Sequence, residues 1–511
     1  MNFVSLTFLS FLAITFIVYH IFPIRFRWVV LLGASLYFYA QTGPKRLIII
    51  LITALVAYGT ALQIERIYDA GTGDAQQQKK KARFFCTAAV LFFVAALVYA
   101  KAGRQILDAL GAAFGGKGID LPLLVPMGIS YYTFSLIGYV SDVYRKKEKA
   151  EKNFLHLLLY MIYFPQMIEG PIPRHSRLQT QLTEGHKFDY DRLCFGLQRM
   201  MYGYFKKMVL ADRAAVLVNT IYGSIESYEG GIFFVAIFAS VIQFYTDFSG
   251  CMDMVLGMSE CFGIVLDENF RRPFFARSAA EFWRRWHITL GAWFKDYVYM
   301  PLLTSPTLAA FGKKVKSSFG KNAGKNVMTV VPLAVVWFLT GLWHGTGMDF
   351  IVWGFYWGII IITSTILSKK YKSLTARLNI DTDSRLWTGW QKVRTTLIFC
   401  FAQLLIGPGG LDRVSLVIQR LFSRFTPWIL FDGSLYELGL NRQNFWCMIY
   451  GVLLLFLISV LQERGVRVRE RIAKLPLLLR WMIWILLLFS IFILGMYGPE
   501  YNAANFIYEN F

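Results

Sequence analysis

The sequence predicts an all-α, polytopic integral membrane protein, and three observations predict it. Only 17% of the residues are charged and 56% are hydrophobic, whereas soluble domains carry about 25% charged residues. Apolar runs approaching the roughly twenty residues that a helix needs to cross hydrocarbon recur along the chain. Basic residues collect in short loops between these runs. The excess of 53 Lys plus Arg over 32 Asp plus Glu therefore reads as the positive-inside pattern, reinforced by anionic lipid, and not as a nucleic-acid-binding surface. A polytopic bundle absorbs all 511 residues as one domain: N-terminal helices over 1–150, a core over 155–370 and C-terminal helices over 371–511.

The first apolar run, Val4 to Phe22, lacks a basic leader and a small-residue cleavage site, so it reads as a retained helix and not as a signal peptide. Further spans are predicted at Trp28–Ala40, Leu47–Leu62, Phe84–Ala100, Leu121–Val140, Leu155–Met167, Leu193–Leu217 and Gly231–Gln243. The series continues with Met328–Trp343, Ile351–Leu367, Thr395–Ile406, Phe445–Leu461 and Leu475–Met496. Several are short for a clean crossing and imply tilted, re-entrant or broken helices, which are tolerated against protein or a water-filled cavity. Arg25 and Arg27, the Lys79–Arg83 cluster closing the loop after the third run, and Arg145–Lys149 follow odd-numbered runs. Their placement predicts an extracytoplasmic N-terminus, with Lys45-Arg46 as a mild exception. Beyond about residue 190 the charges do not carry the topology forward.

Tyr245 to Met300 differs from the rest. It mixes Asp247, Asp253, Glu260, Asp267, Glu268 and several arginines with many aromatics. That density predicts interfacial amphipathic helices or segments folded into the protein interior, not a plain crossing helix. The basic Lys313–Lys325 segment, with Gly312, Gly320 and Gly324, reads as a mobile cytoplasmic loop. Arg464–Lys474 reads as a second cytoplasmic connection. The six cysteines form no CxxC pair and lie mostly in apolar surroundings, so they read as small buried hydrophobes. His20, His156, His175 and His186 are scattered, so no metal site is expected.

The candidates for chemistry are His344 and His287. An ionisable side chain at membrane depth marks a functional site by default, and imidazole exchanges a proton near neutral pH. His344 closes an uncharged run, Val330–Leu342, beside Trp343 and between Gly341 and Gly345, where a backbone or substrate chain can approach closely. It reads either as a general base toward a hydroxyl or as a histidine that bonds a neighbouring helix. His287 ends Glu281-Phe-Trp-Arg-Arg-Trp-His287. It reads either as a second functional histidine beside the anion-binding candidates Arg284 and Arg285, or as part of an amphipathic interfacial helix that also carries Trp286. Prolines 165, 171 and 173 break a run around Glu169, and Asp247 follows an apolar stretch. Each of these carboxylates lines a cavity or makes a structural polar contact.

Four stretches together resemble one family, the membrane-bound O-acyltransferases, in the branch of the alginate O-acetylation protein. They are Val125-Pro-Met-Gly-Ile-Ser-Tyr-Tyr-Thr-Phe134 through Asp142-Val-Tyr-Arg145; Phe164-Pro-Gln through Gly170-Pro-Ile172; Gln243-Phe-Tyr-Thr-Asp-Phe-Ser-Gly250 through Glu268-Asn-Phe270, Arg272-Pro273 and Glu281–His287; and Gly341-Leu-Trp-His-Gly345. The aromatic end, Asn505–Phe511, extends the similarity to nearly the whole chain. The resemblance implies a ring of about 11–13 tilted helices around a central funnel, with His344 catalytic and His287 the second functional histidine. Glu169, Asp247, Arg284, Arg285, Trp286 and Trp343 are then candidates for donor and substrate contacts. It implies no bound cofactor, acetyl-CoA as donor (alternatively a carrier-protein thioester), and delivery to an extracytoplasmic polysaccharide or cell-wall glycan. An extracytoplasmic acetyltransferase partner and the bacterial cytoplasmic membrane are implied with it. After His344 the branch often has small residues and a Trp, whereas here Thr346-Gly-Met-Asp349 follows, so the acyl or acceptor pocket is expected to differ. A membrane transporter or glycan-export component is the alternative that the residues alone allow, and a long-chain donor is a third reading.

Overall fold

The computed structural model describes residues 2–70, 74–113, 124–424, 426–497 and 506. Leu121–Leu123 of one predicted span, and the C-terminal stretch apart from Phe506, lie outside the described residues. The described chain is helical, with a single isolated β-bridge between Phe270 and Trp286. Seven of its helices are long and apolar enough to cross a membrane: Lys45–Asp69, Ala75–Ala113, Ile232–Cys261, Lys321–His344, Met348–Ile366, Arg442–Glu463 and Leu477–Leu494. Leu6–Ile21 and Phe154–Gln166 are shorter apolar helices. The protein is thus an all-α, multi-pass membrane protein. Its described residues fall into two compact units, one within 1–200 and 251–267 and the other within 201–250 and 268–507.

In the first unit the predicted runs become Leu6–Ile21, Arg27–Ala40, Pro44–Asp69, Ala75–Ala113 and Ile129–Tyr144. Ser5 caps the first by accepting from the Phe8 N–H at 3.2 Å. Ala75–Ala113 is far longer than the predicted Phe84–Ala100. Lys79–Arg83 are helical there, not part of a loop, because Ala, Gln and Lys are strong helix formers and carry the helix past the apolar run. Ile129–Tyr144 is almost wholly buried, and it carries the hydroxyls of Ser130, Thr133, Ser135 and Ser141 inside with it. The proline-rich break also appears. Phe154–Ile162 ends at Tyr163, a 3-10 turn follows at Phe164–Gln166, and a helix restarts at His175. Protein groups satisfy the broken backbone: the Phe164 N–H donates to Ser35 Oγ at 3.0 Å, and Gln166 Nε2 donates to the Pro171 carbonyl at 2.9 Å.

In the second unit Lys321–His344 and Met348–Ile366 form a tight antiparallel pair. A Cβ added to Gly354 would stand 2.6 Å from the Trp337 carbonyl oxygen and 3.1 Å from Gly341 Cα. The glycine of the His344 motif thus serves helix-to-helix approach. Two expectations are corrected. Lys313–Lys325 is no loop: Pro306–Phe319 is a helix that packs back on Lys321–His344. Ser305 caps it by accepting from the Leu308 N–H at 3.2 Å, Gly320 turns the chain with φ +87°, and a Cβ on Gly324 would meet Lys316 Cβ at 2.6 Å. Gly312 and Gly324 are contact points of a hairpin, and Gly320 is its turn. The second correction concerns the acidic stretch from Tyr245, where the reading as a segment folded into the interior holds and the exclusion of a helix long and apolar enough to cross does not. Its first part does continue a long helix, Ile232–Cys261, whose most apolar window is 72% buried. Its charges are tolerated because they are paired: Asp253 accepts from Arg199 Nε at 2.9 Å within the first unit, and Asp247 binds Lys207 within the second.

Candidate functional site

His344 is the last residue of the Lys321–His344 helix, and its ring is 6% exposed. The Gly345 N–H still reaches the Gly341 carbonyl at 3.2 Å, so the helix ends under the imidazole. Gly345-Thr346-Gly347 then turns the chain into Met348–Ile366. This turn brings Trp353 to the histidine. The His344 ring lies 4.7 Å from Trp343 and 4.9 Å from Trp353, both near edge-on. Trp353 was not legible as a site residue, because its contact is made by a helix reversal and not by spacing within one helix.

His287 sits in a different local structure. Ala279–Arg285 ends at Trp286, and Ile288–Phe294 begins after His287. The residue between the helices adopts left-handed backbone, φ 45° and ψ 52°, a conformation that bulky non-glycine residues seldom take. Pairing with a preceding segment holds it there. The Arg271 N–H donates to the Arg285 carbonyl at 2.9 Å, and the Ile288 N–H to the Asn269 carbonyl at 3.1 Å. The His287 ring is 2% exposed, edge-on to Phe248 at 4.9 Å, with Nδ1 3.2 Å from Asn269 Oδ1. Asn269 Oδ1 also accepts from the Thr289 N–H at 3.1 Å and the Thr289 hydroxyl at 3.0 Å. Burial holds the imidazole neutral, pushing its pKa down to about 3. Trp343 connects the two histidines, with its ring centroid 5.8 Å from His287 and 4.7 Å from His344.

The remaining candidates are distributed as follows. Arg284 is exposed. Arg285 donates to Glu463 at 3.0 Å and to Glu281 at 2.8 Å, and Glu463 also accepts from Arg272 Nε at 2.6 Å. Arg285 thus ties the end of the Arg442–Glu463 span to the His287 layer. Trp286 is buried, stacked between Phe244 and Phe282 at 5.5 Å each. The aromatic face of the Ala279–Arg285 segment is therefore interior, not lipid-facing. Asp247 lies 2.6 Å from Lys207 Nζ, which also reaches Asp212 at 3.1 Å. The lysine stands in a π-helical turn, Phe205–Ala211, and all three side chains are buried. Glu169 is fully buried in the first unit. Among the described residues no three His, Cys, Asp or Glu side chains assemble into a metal-holding group.

Such a site pairs two imidazoles across one indole in a buried, largely aromatic layer. It suits proton exchange with a hydroxyl or thiol. Residues 145–407 match the model of the MBOAT, membrane-bound O-acyltransferase family. The chain belongs to the membrane-bound O-acyltransferase family. The matched segment holds both histidines, Trp343, Trp353 and Asn269. Among its relatives, the chain is 29% identical over 418 residues to the "Probable alginate O-acetylase AlgI" of Azotobacter vinelandii, covering 81% of this chain and 76% of that one. It is 29% identical over 360 residues to the "Peptidoglycan O-acetyltransferase" of Helicobacter pylori, covering 65% and 63%. It is 29% identical over 263 residues to the "Teichoic acid D-alanyltransferase" of Bacillus subtilis, covering 48% and 62%. By name these relatives act on alginate, peptidoglycan and teichoic acid, the first two in O-acetylation and the third in D-alanyl transfer.

Proposed function

We propose that this O-acyltransferase moves an acetyl group from acetyl-CoA on the cytoplasmic side to hydroxyls of an extracytoplasmic polysaccharide or cell-wall glycan. An extracytoplasmic acetyltransferase partner takes part in delivery. The observation that carries the reading is the His287–Trp343–His344 arrangement inside the family segment. Two relatives named for O-acetylation, one of alginate and one of peptidoglycan, support acetyl as the group and a glycan as acceptor.

The chemistry follows from the groups present. A thioester carbonyl is activated, but a neutral hydroxyl is a poor nucleophile. His344 takes the hydroxyl proton as the oxygen attacks the carbonyl carbon. The tetrahedral intermediate collapses by breaking the C–S bond, and the imidazolium returns its proton to the departing thiolate. A positioned base supplies about 10²–10⁴-fold, and fixing both reactants beside it adds to this. The exposed guanidinium of Arg284 suits the donor's phosphates. Arg285, already held by two carboxylates, steadies the layer beneath it. The basic residues after the first and fifth runs, Arg25 and Arg145–Lys149, support a location in the bacterial cytoplasmic membrane with the N-terminus outside.

The test is turnover in proteoliposomes with acetyl-labelled acetyl-CoA outside and a soluble glycan enclosed. Release of CoA is the expected result, with acetyl ester on the glycan when the acetyltransferase partner is enclosed with it. Glycan movement without thioester consumption would point instead to an export component, and preference for a long-chain acyl-CoA would change the donor.

A further inference from the structure

We propose that Asn269 is the positioning residue of this site: it holds His287 in the tautomer protonated on Nδ1 and so presents Nε2 as the hydrogen-bond acceptor that orients the reacting hydroxyl or thiol while His344 takes the proton. The inference deepens the proposed acyl-transfer reading and rests on it for the identity of that hydroxyl or thiol. The tautomer itself rests on hydrogen-bond geometry alone.

The argument starts from the one contact whose direction is fixed. The Thr289 backbone N–H only donates, and it points at Asn269 Oδ1 at 3.1 Å. The amide of Asn269 is therefore oriented with its oxygen, not its NH2, toward this layer. The Thr289 hydroxyl donates to the same oxygen at 3.0 Å. His287 Nδ1, 3.2 Å from that oxygen, meets an acceptor and must carry the proton. In a neutral imidazole the other nitrogen, Nε2, is then the acceptor. Burial favours the neutral ring, and both side chains are nearly inaccessible, Asn269 at 1% and His287 at 2%.

The side chain of Asn269 is separable from its structural role. Its backbone carbonyl accepts from the Ile288 N–H, and the neighbouring Arg271 N–H pairs with Arg285. Those bonds hold the left-handed turn whatever the side chain. The amide oxygen instead gathers the ring and Thr289, which opens the next helix. On the elements packed around the ring, Phe248 comes from Ile232–Cys261 and Trp343 from Lys321–His344. The nearest titratable neighbours along those helices are Asp247, bound to Lys207, and His344. Sequence gave no hint of this pairing, since eighteen residues separate Asn269 from His287.

Two readouts test it in the full-length protein in lipid. The first is 15N spectroscopy of histidine-labelled protein, with His287→Gln used to assign the signal. A protonated Nδ1 and bare Nε2 near neutral pH are expected, and the opposite tautomer would overturn the proposal. The second compares variants in acetyl-CoA turnover. Asn269→Asp keeps an acceptor for all three donors but sets a carboxylate against the ring, which favours imidazolium; the acid limb of its pH–rate profile should move to higher pH. Asn269→Leu should lower kcat about 10-fold or more while donor KM stays within about 2-fold. An Asn269→Asp profile superimposed on the wild type, with Asn269→Leu retaining kcat, would reduce Asn269 to packing. If the unmodified protein consumes no thioester, the acyl-transfer reading fails while the spectrum still decides the tautomer.

Discussion

The indole of Trp343 and the imidazole of His287 face each other at 5.8 Å between ring centroids, although 56 residues separate them in sequence. His344 packs on the same indole from its own helix at 4.7 Å. The two histidines thus share one aromatic plate. Changing the plate should alter their relation without removing either base.

Trp343→Phe is expected to keep the apolar wall and retain turnover within about 10-fold. Trp343→Ala removes it and should cost about 100-fold, on the scale that a misplacement near 1 Å costs. Single-turnover rates with acetyl-CoA in proteoliposomes check this. Equal activity of both variants would show that the plate does not position the rings.

Gly354→Ala is expected to destabilise the protein by about 1–3 kcal/mol, the usual cost of overpacking. The added methyl would lie 2.6 Å from the Trp337 backbone oxygen, and a backbone atom on a facing helix cannot swing aside. The midpoint of thermal unfolding in detergent measures it. An unchanged midpoint would mean that the helix pair is looser than the glycines indicate.

Lys207→Met leaves Asp247 and Asp212 buried without their lysine. Removing one partner of a buried pair costs about 3–5 kcal/mol. Lys207 is 1% exposed, so solvent does not screen the loss. The Lys207→Met/Asp247→Asn double variant should recover part of the midpoint. No recovery would indicate that the lysine matters through packing of the π-helical turn.

His287 lies outside the seven spans, and its folded-state pKa of about 3 lies below the roughly 6.5 of a free imidazole. Between those values the unfolded chain binds a proton that the folded chain does not. Stability from this residue is therefore complete above about pH 6.5 and falls as the pH drops toward 3. The drop in thermal midpoint from pH 7.5 to pH 5 should be smaller in His287→Gln than in the wild type. Equal drops would show that the ring is already solvated.

Much of this architecture was legible in the chain. Apolar runs marked the spans because hydrocarbon requires continuous apolar length, and prolines 165, 171 and 173 marked a break that the structure contains. His344 stood out because ionisable groups are rare at the end of an uncharged run. Three features were hidden. The Pro306–Phe319 hairpin looked like a loop because two of its glycines, Gly312 and Gly324, serve packing and only Gly320 serves the turn. The Ile232–Cys261 helix looked too charged because its partners, Arg199 and Lys207, lie far off in sequence. Asn269 stood in the Glu268-Asn-Phe270 stretch, but its pairing with His287, like the contact of Trp353 with His344, arises from a backbone pairing and a helix reversal that no local periodicity encodes.

The central claim is that His344 supplies the base for acyl transfer, and one rate constant tests it most directly: thioester consumption by His344→Ala under saturating acetyl-CoA and glycan. The account predicts a fall of about 10²–10⁴-fold, with wild-type donor affinity and an unchanged thermal midpoint. A correctly folded His344→Ala protein that acylates glycan at the wild-type rate would contradict it.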